Sequence, residues 1–98
     1  MFLADVIGTV VSPVQHPILD GHKLLLLRPL DPKGHPQGPT RVAIDRASAG
    51  RGDRVLVIDE GNAARQTLGA PDAPVKTVVI GVVDFVELEG SVVFDARG

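Results

Sequence analysis

The chain has 98 residues, of which 44% are hydrophobic, and it carries a formal net charge of -2 at pH 7 and no Cys. This length suits one domain, and the lack of Cys excludes both a disulfide framework and a Cys-based zinc site. Acidic and basic residues are interspersed, which gives no electrostatic attraction for nucleic acid or for an anionic membrane.

The first part of the chain predicts two strands. Phe2 to Val11 mixes β-branched and small residues and stops shortly before Pro13, as a first strand would. After an Asp-Gly turn, His22 to Leu30 predicts a second strand. Its leucines are consecutive rather than alternating. This pattern favours burial on both faces, one against a barrel core and one against a neighbouring subunit.

The middle of the chain predicts an exposed loop and two further strands. Asp31 to Pro39 is rich in Pro and Gly and cannot contribute to a core. Apolar residues then alternate with polar ones in Thr40 to Asp45 and again in Arg54 to Ile58, which predicts a third and a fourth strand. Ala47 to Gly52 is a glycine-bearing connection between them.

One short helix is predicted after the fourth strand. Asn62 can cap the free amides of a helix through Ala63 to Gln66, and Gly69 can end it. A loop that contains two prolines, Ala70 to Pro74, follows this segment. The helix has two turns at most.

The last part of the chain returns to strands. Thr77 to Leu88 predicts the longest strand, with Gly81 as a bend or bulge inside it. A Glu-Gly turn leads into a final short strand over Ser91 to Phe94. Five or six short strands with one short helix predict an all-β fold, a small OB-like β-barrel.

Residues that could carry chemistry do not form a recognisable site. The histidines His16, His22 and His35 stand in or beside turns without the spacing of metal ligands. Asp59 and Glu60 are adjacent carboxylates, yet neighbours on a strand point to opposite faces, which favours a strand end that leads into the helix cap. The sequence contains no nucleophile elbow, Walker loop or dinucleotide fingerprint. We therefore predict no catalytic, metal-binding or cofactor-binding residues.

Several motifs resemble one known family. The segment Ala43 to Val57 reads AIDRASAGRGDRVLV and resembles the EutN/CcmL signature, in which V-A-x-D at a strand end leads into G-A-G-x-G-[DE]-x-V-L-V. Gly61 to Arg65 is similar to the family's G-S-[SA]-A-R, and Ile80 to Asp84 is similar to I-V-G-I-V-D. The motifs occur in the family's order. The resemblance covers residues 1 to about 88 of a single domain spanning 1–98, with 89–98 as a C-terminal strand or tail.

A few residues depart from the family's pattern. Asp5 stands where the family commonly has a basic residue, and Lys76 occupies a place often held by Asp. Asn62 replaces a serine. Ser48 replaces the first glycine of the loop, and serine tolerates positive φ less well than glycine does. We expect these differences to alter subunit contacts.

The resemblance implies a structural function. Members of the family form pentamers that cap the vertices of an icosahedral microcompartment shell, where they supply curvature and closure between hexameric shell proteins. The implied partners are four further copies of the chain and those hexamers, with no cofactor, nucleic acid or membrane. The start of the chain lacks the features of a secretory signal, and apolar runs such as Leu24 to Leu27 are too short to span a bilayer. We therefore expect a cytoplasmic protein.

The resemblance also implies where subunits meet. Small residues of the glycine-bearing loop would approach the five-fold axis and rim a narrow opening. These residues are Ser48, Ala49 and Gly50. A second group would lie at the interface between subunits. These residues are Asn62, Arg65 and Asp84.

Two other functions are open to a chain of this composition. An OB-like barrel could instead be a nucleic-acid-binding or ribosome-associated module, but such modules use aromatic platforms and basic grooves. This chain has three Phe, neither Trp nor Tyr, and no excess of basic residues. An enzyme stands third, because no catalytic apparatus is present in the sequence.

Overall fold

The computed structural model describes residues 1–10, 23–59 and 77–98, and these ranges contain seven strands and no helix. The strands are β1 (Phe2–Val10), β2 (Leu24–Leu30), β3 (Arg41–Asp45), β4 (Arg54–Asp59), β5 (Thr77–Val82), β6 (Phe85–Leu88) and β7 (Ser91–Asp95). The predicted helix start at Asn62 lies outside the described residues. Nowhere in these ranges is there a helix long and apolar enough to cross a membrane.

The first five strands form a closed barrel in the order β1-β2-β3-β5-β4, with β4 pairing back onto β1. All neighbours are antiparallel except β3 and β5, which run parallel. Side chains alternate along each strand, so every second residue points into the barrel. The buried side chains of this core include Ala4, Val6, Leu25, Leu27, Val55, Val57 and Val79. The small β-barrel predicted from the sequence is confirmed.

The consecutive leucines of β2 lie on two faces of the strand, one toward the barrel core and one toward the outside of the barrel. Leu25 and Leu27 are fully buried in the barrel core, whereas Leu24 and Leu26 on the opposite face are half-buried. Leu24 packs against a second apolar cluster on the outside of the barrel, built around Ile44 of β3. Within one chain, burial is therefore complete on the core face and partial on the outer face.

The prediction of one long strand over Thr77 to Leu88 is wrong, because this segment forms β5 and β6. Val82 pairs with Val55, next to the first residue of β4, so β5 has no partner beyond that point. The chain leaves the barrel there, fixed by a hydrogen bond from Val83 N to the Arg54 carbonyl at 2.8 Å. The predicted irregularity at Gly81 is confirmed, since the register between β4 and β5 shifts beside it.

Strands β6 and β7 form a separate two-stranded hairpin. The turn residues Glu89 and Gly90 have φ values of 53° and 87°, as the tight type I′ turn of a hairpin requires. Phe94 of β7 attaches the hairpin to the barrel, because the Arg54 guanidinium lies 4.2 Å from the centre of its ring. Arg54 also pairs with Asp5 of β1 at 2.8 Å. One arginine thus joins the hairpin to the barrel wall.

Residues 31–39 are almost all exposed, as predicted, and Asp31 organises the turn. Its carboxylate accepts hydrogen bonds from the backbone N–H groups of Lys33 and His35, each at 2.9 Å. The hydrogen bond from His35 lowers the pKa of Asp31 below its ordinary value. At Gly34 a Cβ atom would come within 2.9 Å of the Arg54 guanidinium, so glycine lets this turn lie against the same arginine.

Candidate assembly surfaces

The connection between β3 and β4, residues 46–53, is held by the carboxylate of Asp45. Asp45 ends β3 and is only 9% exposed. Its oxygens accept the N–H groups of Ala47 at 2.9 Å and Ala49 at 3.0 Å, and they pair with the Lys23 ammonium at 3.2 Å. Lys23 also donates a hydrogen bond to the Ala49 carbonyl. Charge-assisted bonds of this kind are the strong ones in proteins, so the chain itself holds the first half of the loop in place.

The second half of the loop is joined to β1. Asp53 accepts the Gly50 N–H at 2.8 Å through its carboxylate and returns a hydrogen bond to the Gly50 carbonyl at 3.0 Å. Gly52 N donates to the Val6 carbonyl at 3.0 Å, and Val6 N donates to the Asp53 carbonyl at 2.9 Å. Most backbone N–H groups of the loop thus donate to acceptors within the same chain.

The three residues predicted to approach the axis have different surroundings. Ser48 is exposed, whereas Ala49 is fully buried and packs into the barrel core. The small size of Ala49 is therefore explained within one chain. Gly50 is different, because its φ lies outside the left-handed region and a Cβ atom there would meet nothing within 4 Å. Among the described residues, none requires glycine at this position.

Ser48 has a φ of 54°, which is the left-handed region. In the family signature this position is glycine, the residue that adopts positive φ without cost. For other residues the left-handed conformation costs roughly 1–2 kcal/mol. The Asp45 carboxylate accepts hydrogen bonds from the residues on either side of Ser48, and these bonds offset this cost.

The outer side of the loop is positively charged. Arg46 and Arg51 are both exposed, and neither makes an ion pair within the described ranges. With Ser48 they give the loop a polar surface that carries two cations. Five such loops around one axis would bring ten guanidinium groups to one end of a ring.

The predicted interface residues are only partly within the described structure. Asn62 and Arg65 lie outside it. Asp84 is exposed at the junction of β5 and β6, where its backbone carbonyl accepts the Ala96 N–H at 2.8 Å. Its carboxylate makes no hydrogen bond or ion pair to any residue that the structure describes.

Sequence reasoning did not identify the exposed apolar side chains. Among the described residues the large ones are Met1, Val42, Val82, Phe85, Val92 and Val93. Half of them lie on the hairpin. The sequence of β7 contained a sign of these exposed apolar side chains. Val92, Val93 and Phe94 follow one another without the polar alternation of a strand with one solvated face.

The carboxylate considered for acid/base chemistry has a structural role. Asp59 is the last residue of β4, as predicted, and it accepts a forked pair of hydrogen bonds from the Arg41 guanidinium. This pairing raises the pKa of Arg41 above its ordinary value. Arg41 also donates to the Thr77 hydroxyl at 3.0 Å. Across residues 1–10, 23–59 and 77–98 no cluster of His, Cys, Asp or Glu could hold a metal ion.

Comparison with known proteins gives consistent matches over nearly the whole chain. The family model for ethanolamine utilisation protein EutN/carboxysome matches residues 1–84. The bacterial microcompartment shell vertex protein EutN of Escherichia coli (strain K12) is 44% identical over 94 residues, which is 96% of this chain and 98% of the relative.

Solved structures agree with the sequence matches. The structure of Gloeobacter violaceus CcmL superimposes with a TM-score of 0.91 at 37% identity and covers 100% of both chains. The GrpN pentameric microcompartment shell protein from Rhodospirillum rubrum has a TM-score of 0.78 at 41% identity, covering 90% of this chain and 100% of that one.

Proposed function

The chain belongs to the EutN/CcmL family, and we propose that five copies of it form the ring that closes a vertex of a bacterial microcompartment shell. It is a structural protein, not an enzyme, and it acts in a shell within the bacterial cytoplasm. The observation that carries this conclusion is the match over nearly its full length to proteins named as shell vertex proteins. That match supports the shell function over an OB-like nucleic-acid-binding module.

The proposed partners are hexameric shell proteins. A flat hexagonal layer cannot close on itself, and a five-fold ring at each vertex supplies the missing curvature. Such a ring is a closed assembly of heterologous contacts. Each contact between the ring and a hexamer can be small, because five simultaneous contacts multiply the affinity. We expect no nucleic-acid or membrane partner.

The loop of residues 46–53 is the proposed axial element. Its backbone is preorganised by Asp45 and Asp53, so converging copies need no further ordering. Gly50 supports the proposal, since its missing side chain is unexplained within one chain and leaves room for a neighbour. Ala49 contributes only its backbone, because its side chain lies in the barrel core. Ser48 and the Gly50 backbone would face the opening.

The proposed contacts between subunits are Asp84, Asn62 and Arg65. Asp84 is supported by its exposed carboxylate at the base of the hairpin. An arginine suits such a contact because its planar guanidinium can donate several hydrogen bonds to a carboxylate or to carbonyl groups at once.

The mass of the native assembly tests the proposed function. Native mass spectrometry of the purified chain is expected to give a species of five times 10.3 kDa. Titration with a single-stranded RNA provides the control for the alternative function. A stable monomer at micromolar concentration would overturn the vertex proposal, and a monomer that shifts on RNA would favour the nucleic-acid-binding module.

A further inference from the structure

The outer face of the hairpin carries an apolar surface without a cover. Phe85, Val92 and Val93 are 55%, 60% and 39% exposed, and we call these three residues the hairpin patch. Val93 is the extra residue of a bulge, because Val86 pairs with Phe94 while Glu87 pairs with Val92. The patch is thus a consequence of strand register as well as of composition.

The hairpin itself needs further support. An isolated two-stranded sheet is at best marginally stable in water. On its inner face Phe94 stacks on Arg54, and at its base Ala96 N donates to the Asp84 carbonyl at 2.8 Å. These contacts fix one side only. Covering the hairpin patch would bury apolar area and hold the hairpin from both sides.

A closed ring requires two unlike surfaces on each chain, because every heterologous contact joins one patch to a different one. Another exposed apolar residue is Val42 of β3, which is 49% exposed and pairs with half-buried Leu26. Beside Val42 lies a groove of about 730 Å³ whose walls include Phe2, Pro39 and Thr77. We call this the β3 groove.

The two surfaces are too far apart to cover each other within one chain. In the parallel pair of β3 and β5, Ile44 is opposite Val78. Along the common direction of β3 and β5, Val42 therefore lies on one side of this pair, and Val82, at the base of the hairpin, lies on the other side. Six residues of strand separate Val42 from Val82 in that direction, which corresponds to about 20 Å. A neighbouring copy that is rotated about the ring axis can bring them together.

We propose that, in the ring, the hairpin patch of each chain packs into the β3 groove of the next chain, with Phe85 as the anchor. This inference rests on the proposed pentamer and names the two surfaces that make its contacts. An aromatic side chain that fills a partner's groove is the usual centre of a protein interface. The Arg41 guanidinium, which lies 5.2 Å from the Phe2 ring in the groove, can stack on a second aromatic ring as well.

Truncation of the anchor tests the contact. Phe85→Ser is expected to raise the dissociation constant of the ring roughly thirtyfold per contact, as loss of an interface anchor does. Dilution followed by mass photometry measures it. Arg97→Ser is the control, since Arg97 is exposed near the hairpin and pairs with Asp95 of the same strand end. If the Phe85→Ser ring dissociates like the parent ring, the inference is wrong, although the pentamer stands.

Disulfide mapping tests the pairing directly, even where Phe85→Ser weakens folding. The chain has no Cys, so introduced thiols react only with each other. Oxidised rings of Val42→Cys with Val92→Cys, or Val42→Cys with Val93→Cys, are expected to give covalent ladders up to five chains, because each chain links to both neighbours. Each single variant can link two chains at most.

The outcomes separate the inference from the function on which it rests. A parent chain that is not a pentamer overturns the proposed function itself. A parent pentamer whose two double variants oxidise without a ladder overturns only the pairing of the hairpin patch with the β3 groove, because a disulfide requires Cβ atoms within about 4.5 Å.

Discussion

The loop of residues 46–53 and the hairpin of residues 85–95 lie outside the barrel strands, but they are completed in different ways. In the loop, the carboxylates of Asp45 and Asp53 satisfy backbone N–H groups within the same chain. The hairpin is attached by one face and leaves Phe85 and Val92 exposed on the other. The polar groups of the loop find hydrogen-bond partners within one small domain, whereas the exposed apolar face of the hairpin can be buried only by another surface.

The two regions share an unusual backbone conformation. Each contains a non-glycine residue at positive φ, namely Ser48 at 54° and Glu89 at 53°. Ser48 is held there because the backbone N–H groups of both neighbouring residues donate hydrogen bonds to the Asp45 carboxylate. Glu89 is held by the geometry of a two-residue turn with Gly90. A side-chain carboxylate two to four residues away stabilises the first conformation, and the backbone geometry of the turn stabilises the second.

The largest effect is expected from removing the carboxylate that holds the loop. Asp45→Ala leaves two N–H groups and the Lys23 ammonium without their acceptor, which costs about 3 kcal/mol of unfolding free energy. Urea denaturation measures it. The matched control is Asp95→Ala in the hairpin, where the carboxylate is 35% exposed and serves one backbone N–H and an exposed arginine. A loss below about 1 kcal/mol is expected there. Equal losses of unfolding free energy in the two variants would contradict the view that the loop is held by its carboxylate more strongly than the hairpin is.

A smaller and local effect is expected at the attachment of the hairpin. Arg54→Ala removes the stacking on Phe94 and the pair with Asp5, which together contribute about 2 kcal/mol. Hydrogen exchange should then show faster exchange in β6 and β7, with the amides of Ala47 and Ala49 unchanged.

Arg54→Lys is the matched control for that experiment. It keeps the charge but loses the planar fork, so it should restore the pair with Asp5 only in part and the stacking on Phe94 hardly at all. If exchange in the loop accelerates as much as exchange in the hairpin, the two regions are not independent.

The smallest effect is expected from a charge placed on the loop, and only in the ring. Ser48→Lys adds five ammonium groups to the exposed Arg46 and Arg51 side chains near the proposed axis, which should weaken the ring by about 1 kcal/mol at low salt, with recovery as salt screens the charges. Native mass spectrometry across ionic strength measures it.

Ser91→Lys makes the same chemical change at an exposed serine of the hairpin and is the control. One isolated surface charge there should alter assembly little. If the Ser48→Lys ring is as stable as the Ser91→Lys ring at low salt, the loop does not lie at the axis.

Strand positions could be predicted closely because their signal is local. The expected strands Thr40 to Asp45, Arg54 to Ile58 and Ser91 to Phe94 each differ from the structure by one residue at one end. Alternation along a strand depends only on neighbouring residues. The long strand over Thr77 to Leu88 was predicted wrongly, since no local signal reports where the β4 partner ends.

The candidate site was predictable in part. The signature around Ser48 predicted the connection between β3 and β4. Only the structure shows that Ser48 adopts a φ of 54°, although serine tolerates positive φ less well than glycine does. The ion pair between Lys23 and Asp45 was missed, because Lys23 is far from the loop in sequence and reaches it only in the folded chain. The hairpin patch was missed as well, since its exposure depends on a register shift within β6 and β7.

By itself, the sequence determined the strand pattern, the family and the lack of a thiol for any disulfide. Those properties follow from local periodicity and from residue identity. Only the tertiary structure decided that Ala49 belongs to the core and that Arg54 joins β1 to the hairpin through Asp5 and Phe94. Barrel closure brings residues from distant parts of the chain together, and the burial and pairing of each side chain depend on which strands become neighbours.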